Sequence, residues 1–213
     1  MILINTKNYK TGNALLKLAK LIESYDIHNT LVVPASEAYR IAARTAFNVF
    51  VQHVDSVEDE KTTGKISAAS VKSAGATGTL LNHSEHPLTT EVIKKTIEQC
   101  AKVKLATVVC VKTLAEAQTI AQFKPNAIAF EDPTLIGTGK SVATYNAHDL
   151  QKFVTHLKGK PVVPLCGAGL STIDDVKKAY ALGCKGVLIA SAIAQSKNPE
   201  RFLEQLAQWR RQL

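Results

Sequence analysis

Eight short apolar runs, each separated from the next by a segment of helical periodicity, constrain this chain more than any other property of its sequence. The runs fall at residues 2–5, 29–33, 49–52, 78–81, 105–110, 127–131, 161–165 and 186–190. Amphipathic segments lie between them at 12–24, 36–46, 67–73, 89–101, 114–123, 146–157 and 172–182, and a last one follows at 199–212. Strands apolar on both faces are buried on both sides, and an intervening helix calls for parallel pairing with right-handed crossovers. Eight such units point to a closed (β/α)8 barrel of the α/β class. A doubly wound open sheet shows the same alternation, because periodicity does not report closure, but it usually has fewer units and places its site at a switch point. No low-complexity linker or repeat of 20–50 residues interrupts the 213 residues, 46% of them hydrophobic, so one domain over 1–213 with one sizeable core is expected.

Several function classes drop out on composition. Met1-Ile2-Leu3-Ile4 runs directly into a strand with no basic leader or cleavage site, and no apolar run reaches membrane-spanning length, so a cytoplasmic chain with no membrane partner is expected. The four cysteines, Cys100, Cys110, Cys166 and Cys184, show no CxxC spacing; reduced, mostly buried thiols and no metal site are the expectation. The net charge of +8 is compatible with nucleic-acid binding. The lysines, however, are dispersed along helix faces and no basic block is interleaved with aromatics, so no nucleic-acid partner is expected. A positive field serves equally well to capture an anionic small molecule such as a phosphate ester.

In a barrel of this kind the C-terminal tips of the strands face a common mouth, and the chemistry is sought there. Glu131 ends the sixth run and is followed at once by a loop bracketed by Pro133 and by Gly137 and Gly139, as a general base beneath a closing lid would be. A carboxylate capping the next segment is the plainer alternative. His83 leaves the fourth run ahead of a helix-starting stretch, where nearby N–H groups would favour a neutral imidazole; a structural histidine is the alternative. Asn82-His83-Ser84 also matches a glycosylation sequon, a reading that needs a secreted chain. Asn5 and Lys7 leave the first run, where Lys7 could stabilise a developing enediolate or simply be a surface lysine. Gly167-Ala168-Gly169 follows the seventh run and Ala190-Ser191 ends the eighth, the usual phosphate-gripping place in such barrels.

Taken in order, these segments resemble the triosephosphate isomerase family in the short form found in archaea, over the whole chain. The matching motifs are Asn5-Thr6-Lys7, His83-Ser84-Glu85, Glu131 through Leu135-Ile136-Gly137-Thr138-Gly139, Gly167-Ala168-Gly169 and Ala190-Ser191. Val51-Gln52-His53-Val54-Asp55 and Thr63-Gly64 also look like this family. The resemblance implies a TIM barrel and an intramolecular aldose–ketose isomerase of glycolysis and gluconeogenesis, which interconverts dihydroxyacetone phosphate and D-glyceraldehyde 3-phosphate. It implies Glu131 as base, neutral His83 as electrophile, and Lys7 with Asn5 stabilising the enediolate. Ser84 and Glu85 would support them, Glu85 by pairing with Lys7. Phosphate would be held by Asn5, Thr6, Lys7, Ile136, Gly137, Gly169, Ala190 and Ser191. No cofactor and no metal are implied. Members form homodimers or homotetramers, the loop after the third strand reaching the neighbour.

The chain departs from the family at three places. Asp132 stands where a proline is usual and implies a looser lid hinge. His86 stands near a customary arginine, and Ala192 at a common glycine. Other readings meet obstacles in the sequence. Gly137-Thr138-Gly139-Lys140-Ser141 echoes a P-loop, but Thr134 occupies the position of its first glycine. Another phosphate-binding barrel enzyme need not combine Asn5, Lys7, His83 and Glu131, and a binding-only barrel would be expected to lose Glu131 or His83.

Overall fold

The structure of the chain, a computed structural model, describes residues 1–213 except 26, 28, 60, 133, 136–139 and 213. Its strands are β1 (Ile2–Asn5), β2 (Thr30–Val33), β3 (Asn48–Val51), β4 (Gly78–Leu81), β5 (Ala106–Val111), β6 (Ala127–Phe130), β7 (Val163–Cys166) and β8 (Gly186–Ile189). Each pairs in parallel with the next, and β8 returns to β1 through Leu3 opposite Leu188, closing the barrel and ruling out an open sheet. The helices are α1 (Gly12–Glu23), α2 (Ala38–Ala42), α3 (Ala68–Ser73), α4 (Thr90–Lys102), α5 (Leu114–Ala121), α6 (Val142–Tyr145), α7 (Ala147–Leu157), α8 (Ile173–Ala181), α9 (Ser191–Ala194) and α10 (Glu200–Arg210). Their starts follow side-chain chemistry. Ser67, Thr89, Thr113 and Thr172 each accept a backbone N–H of the first turn, and Thr172 with Asp175 completes a capping box.

Side chains alternate across a strand, and this splits the core in two. Leu3, Phe50, Leu80, Val108, Leu165 and Leu188 fill the barrel interior. Ile2, Ile4, Leu81, Ile128 and Phe130 face outward into the layer shared with the helices. At the end of β1 and one step past the ends of β6, β7 and β8, the same alternation aims Asn5, Glu131, Gly167 and Ala190 into the mouth, two residues beyond Leu3, Ala129, Leu165 and Leu188. The backbone stays anchored there: Glu131 N–H donates to the Val111 carbonyl at 2.8 Å and Gly167 N–H to that of Phe130 at 2.9 Å.

Three segments differ from expectation beyond shifts of a residue or two at strand ends. The helix expected over 36–46 is a 3-10 turn, Ala35–Glu37, running into α2. Glu37 is drawn there into contacts with α1, accepting the Gly12 N–H at 2.8 Å, and also pairs with Arg40 at 3.1 Å. The helix expected over 146–157 is preceded by α6, with Asn146 (φ −135°) breaking the two apart. The short α9 directly after β8 was not expected. Among the described residues, no helix is long and apolar enough to cross a membrane, and all four cysteines are free and buried.

Candidate active site

Four side chains converge on the mouth from three strands. At the exit of β1, Lys7 adopts a left-handed backbone (φ +44°) unusual for a residue with a Cβ. The turn is held from both sides: Lys7 N–H donates to Asn5 Oδ1 at 2.9 Å, and Gln52 Nε2 donates to the Lys7 carbonyl at 2.8 Å. Lys7 Nζ, its side chain only 14% exposed, pairs with Glu85 Oε1 at 2.6 Å. Asn5 thus spends its oxygen on the Lys7 turn and keeps its amide nitrogen for the mouth, which it lines with Lys7.

At the exit of β4, residues 83–86 form a turn closed by His86 N–H donating to the His83 carbonyl at 2.7 Å. Glu85 N–H lies 3.2 Å from His83 Nδ1, which must accept, so the proton of the neutral ring sits on Nε2. The ring is therefore oriented by a turn N–H; the helix expected to do this, α4, begins only at Thr90. Nε2 points toward Glu131 Oε1 at 3.8 Å. Burial holds the His83 pKa below 6.5, the Lys7 charge lowers it further, and Glu85 opposes both in part. The imidazole is neutral at neutral pH.

Glu131 is 3% exposed. Burial pushes its pKa up to about 8, against the Cys110 thiol, the Lys7 charge and the Ser84 N–H, which favour the ionised form. Burial also holds Cys110 protonated, with the Glu131 charge adding to the effect. Glycine is required opposite this carboxylate, since a Cβ at Gly167 would come within 2.7 Å of Glu131 Cγ. Gly169 is required for a second reason: its φ is +71°, and a Cβ would run into the Lys140 carbonyl.

The cleft formed by these residues is open to solvent and is also lined by residues 167–171 and 190–191. Gly169, Ala190 and Ser191 are brought to it as expected from their strand positions. Thr6 is not. Its side chain is fully buried and its hydroxyl donates to the Val32 carbonyl at 3.0 Å, which secures β1 to β2. Ile136 and Gly137 lie outside the described residues. His86 packs against His53 with ring centroids 4.2 Å apart and planes tilted by 47°, and Ala192 packs against the outer core.

Sequence reasoning missed three neighbours of the site. Tyr9 lines the cleft beside Lys7; Cys110 faces Glu131 from β5; and Asn82 underlies His83. Alternation along β5, which puts Val108 inside, could have placed Cys110. Among the described residues no cluster of three or more His, Cys, Asp or Glu is arranged to hold a metal ion.

A closed (β/α)8 barrel with a buried carboxylate, a neutral imidazole and a lysine around one cleft at its mouth has the arrangement of barrel enzymes that act on small phosphate esters. A family model described as triosephosphate isomerase matches residues 1–208. The chain is similar to the triosephosphate isomerases of Sulfolobus acidocaldarius, 38% identical over 96% of this chain and 92% of that one, and of Methanocaldococcus jannaschii, 35% identical over 97% and 98%. That of Methanobacterium bryantii is 37% identical over 95% of this chain and 93% of its own. The chain belongs to the triosephosphate isomerase family.

Proposed function

We propose that Glu131, His83, Lys7 and Asn5 carry out the reaction of this family, the interconversion of dihydroxyacetone phosphate and D-glyceraldehyde 3-phosphate. Glu131 takes a proton from the carbon next to the carbonyl and returns it to the neighbouring carbon. A raised pKa makes it a stronger base than an ordinary carboxylate, with a smaller ionised fraction below about 8. His83, with its proton on Nε2, donates to the carbonyl oxygen as negative charge develops there and takes back the proton of the neighbouring hydroxyl, which becomes the new carbonyl. The Lys7 ammonium and the Asn5 amide nitrogen stabilise that charge in a site from which water is largely displaced. Gly169, Ala190 and Ser191 receive the phosphate through backbone N–H groups, and Ile136 and Gly137 of the lid loop complete its binding. What supports these roles is the convergence of Asn5, Lys7, His83 and Glu131 on one cleft that residues 167–171 and 190–191 also line. No step calls for a cofactor or a metal.

A coupled isomerase assay on the purified chain, comparing wild type with Glu131→Asp, tests the proposal. Shortening the base should lower turnover by about a hundredfold, because it withdraws the carboxylate from the carbon it must reach, and leave the Kd of a phosphate-bearing analogue within a few fold. Equal losses of turnover and affinity, or no loss of either, would remove Glu131 from the catalytic role. A cytoplasmic homodimer or homotetramer belongs to the same reading. The exposed residues 61–65 after β3 are available to a neighbouring copy, and light scattering that gave only the 23.0 kDa monomer would overturn this.

A further inference from the structure

Along β4, Leu80 faces the barrel interior and Leu81 the outer layer. Continued past the strand, this alternation would aim Asn82 into the mouth and turn His83 away from it. The structure has the reverse arrangement, and Asn82 is where the pattern breaks. Its backbone is left-handed (φ +58°), a conformation that asparagine reaches more readily than most residues other than glycine. Its side chain is tied down on both sides. Nδ2 donates to the Cys110 carbonyl at 2.8 Å and to Glu116 Oε1 at 2.8 Å, and Oδ1 accepts the Leu88 N–H at 2.8 Å. Both amide protons are committed, which leaves the sequon nitrogen unavailable to a glycan. Glu116 is itself held: Oε2 accepts the Lys112 N–H at 2.9 Å, and its own N–H donates to the capping Thr113 Oγ1 at 3.1 Å in the first turn of α5. A continuous path of hydrogen bonds thus runs from the residue preceding His83, through the β5 exit, to the start of α5. The Cys110 backbone that it grips carries the thiol facing Glu131.

We propose that Asn82, braced by Glu116, is a positioning residue that turns His83 into the mouth and sets its Nε2 against Glu131. This rests on the roles given to His83 and Glu131 above. The side chain touches no substrate; it acts through the His83 backbone and through the β4–β5 junction. A glycine at 82 would reach the same φ more easily but would leave the Cys110 carbonyl, Glu116 and the Leu88 N–H without this partner, so the turn would lose its fixed direction.

The test uses Asn82→Gly and Asn82→Asp, each with and without Glu116→Gln, in the full chain. Asn82→Gly keeps the left-handed turn accessible and removes the three bonds. Asn82→Asp keeps size and turn tolerance but sets a carboxylate against the Glu116 carboxylate and the Cys110 carbonyl; Glu116→Gln then supplies an N–H donor to it. In folded protein, both single Asn82 variants should lose at least tenfold in kcat with KM within about twofold, as expected when a catalytic group is misaligned and binding is not. The 15N signals of His83, which report tautomer and hydrogen bonding without reference to turnover, should shift. Adding Glu116→Gln should recover at least threefold in the Asp variant and nothing in the Gly variant. Wild-type kcat and unshifted His83 signals in folded Asn82→Gly would overturn the proposal, as would equal behaviour of the Asp variant with and without Glu116→Gln. Wild-type turnover in Glu131→Asp would instead defeat the assigned chemistry, and the His83 signals would still decide whether Asn82 sets the ring.

Discussion

An unfolded Glu131 gives up its proton near 4.5, whereas the folded side chain, stripped of water between β6 and β7, keeps it up to about 8. Between those values the folded chain holds a proton that the unfolded chain has lost, so raising the pH favours unfolding. The contribution is fully present below 4.5 and is lost as pH rises through 8. Linkage puts that loss at roughly 3–5 kcal/mol, a large share of the stability of a domain this size. His83 acts in the opposite direction, because its folded pKa lies below 6.5 and neutralising the unfolded ring costs nothing in the fold. Its effect is common to wild type and to a variant altered only at 131. We therefore predict that Glu131→Gln, which keeps the shape and carries no titrating proton, loses much less stability than wild type between pH 5 and pH 8. Urea unfolding at the two pH values measures this directly, and parallel losses would mean that the carboxyl is not desolvated as the structure has it. The buried carboxylate is thus a cost to the fold at neutral pH, borne by the apolar layers on either side of the barrel.

The β6 exit and the β4 exit show what is legible from sequence at the scale of an element. Strand number, order and the inward set Asn5, Glu131, Gly167 and Ala190 could be anticipated because a barrel repeats one rule, every second residue inward, up to the strand tip and one step beyond. His83 breaks that rule: its position at the exit of the fourth run marks it, but alternation does not give its direction, and the left-handed turn that aims it at the mouth depends on partners from β5 and α5. The surroundings of Asp132 escape the sequence for the same reason. Reading it as a missing proline implied a looser hinge. Instead, Asp132 Oδ1 accepts the Thr134 N–H at 3.0 Å and the Thr134 hydroxyl at 2.7 Å, and Asn146, between α6 and α7, donates to Oδ2 at 3.4 Å. The Asp132 carbonyl accepts the Leu135 N–H at 3.0 Å as well. Hydrogen bonds restrain this turn where a pyrrolidine ring would otherwise do so, and the Thr134 hydroxyl foremost holds the Asp132 carboxyl below its usual range. Asp132→Pro should accordingly not tighten analogue binding; it should speed amide exchange at Thr134 by about tenfold, the loss of one ordinary hydrogen bond. Unchanged exchange at Thr134 would reinstate the looser hinge.

At the scale of the whole molecule, the chain carries a net charge of +8, while at the mouth Lys7 is paired with Glu85 at 2.6 Å. Capture of a phosphorylated triose is then expected to be helped less by any single contact than by the summed field, which acts over distances that salt screens. The Debye length falls from about 30 Å at 0.01 M salt to about 8 Å at 0.15 M, so most of the surface ceases to be felt at the cleft over that range. Interactions of buried groups such as the Glu131 carboxyl are screened much less by the same ions. We therefore predict that kcat/KM for D-glyceraldehyde 3-phosphate falls several-fold between 0.01 and 0.15 M sodium chloride, roughly the effect expected of moderate electrostatic steering, while kcat stays within about twofold. Unphosphorylated glyceraldehyde provides the control, since it carries no charge for the field to act on and its kcat/KM should stay nearly level. A fall of equal size for both substrates would mean that salt alters the site itself. No fall for the phosphate ester would mean that the lysines dispersed over the helices serve solubility, with recognition of the phosphate left to the backbone of 167–171 and 190–191.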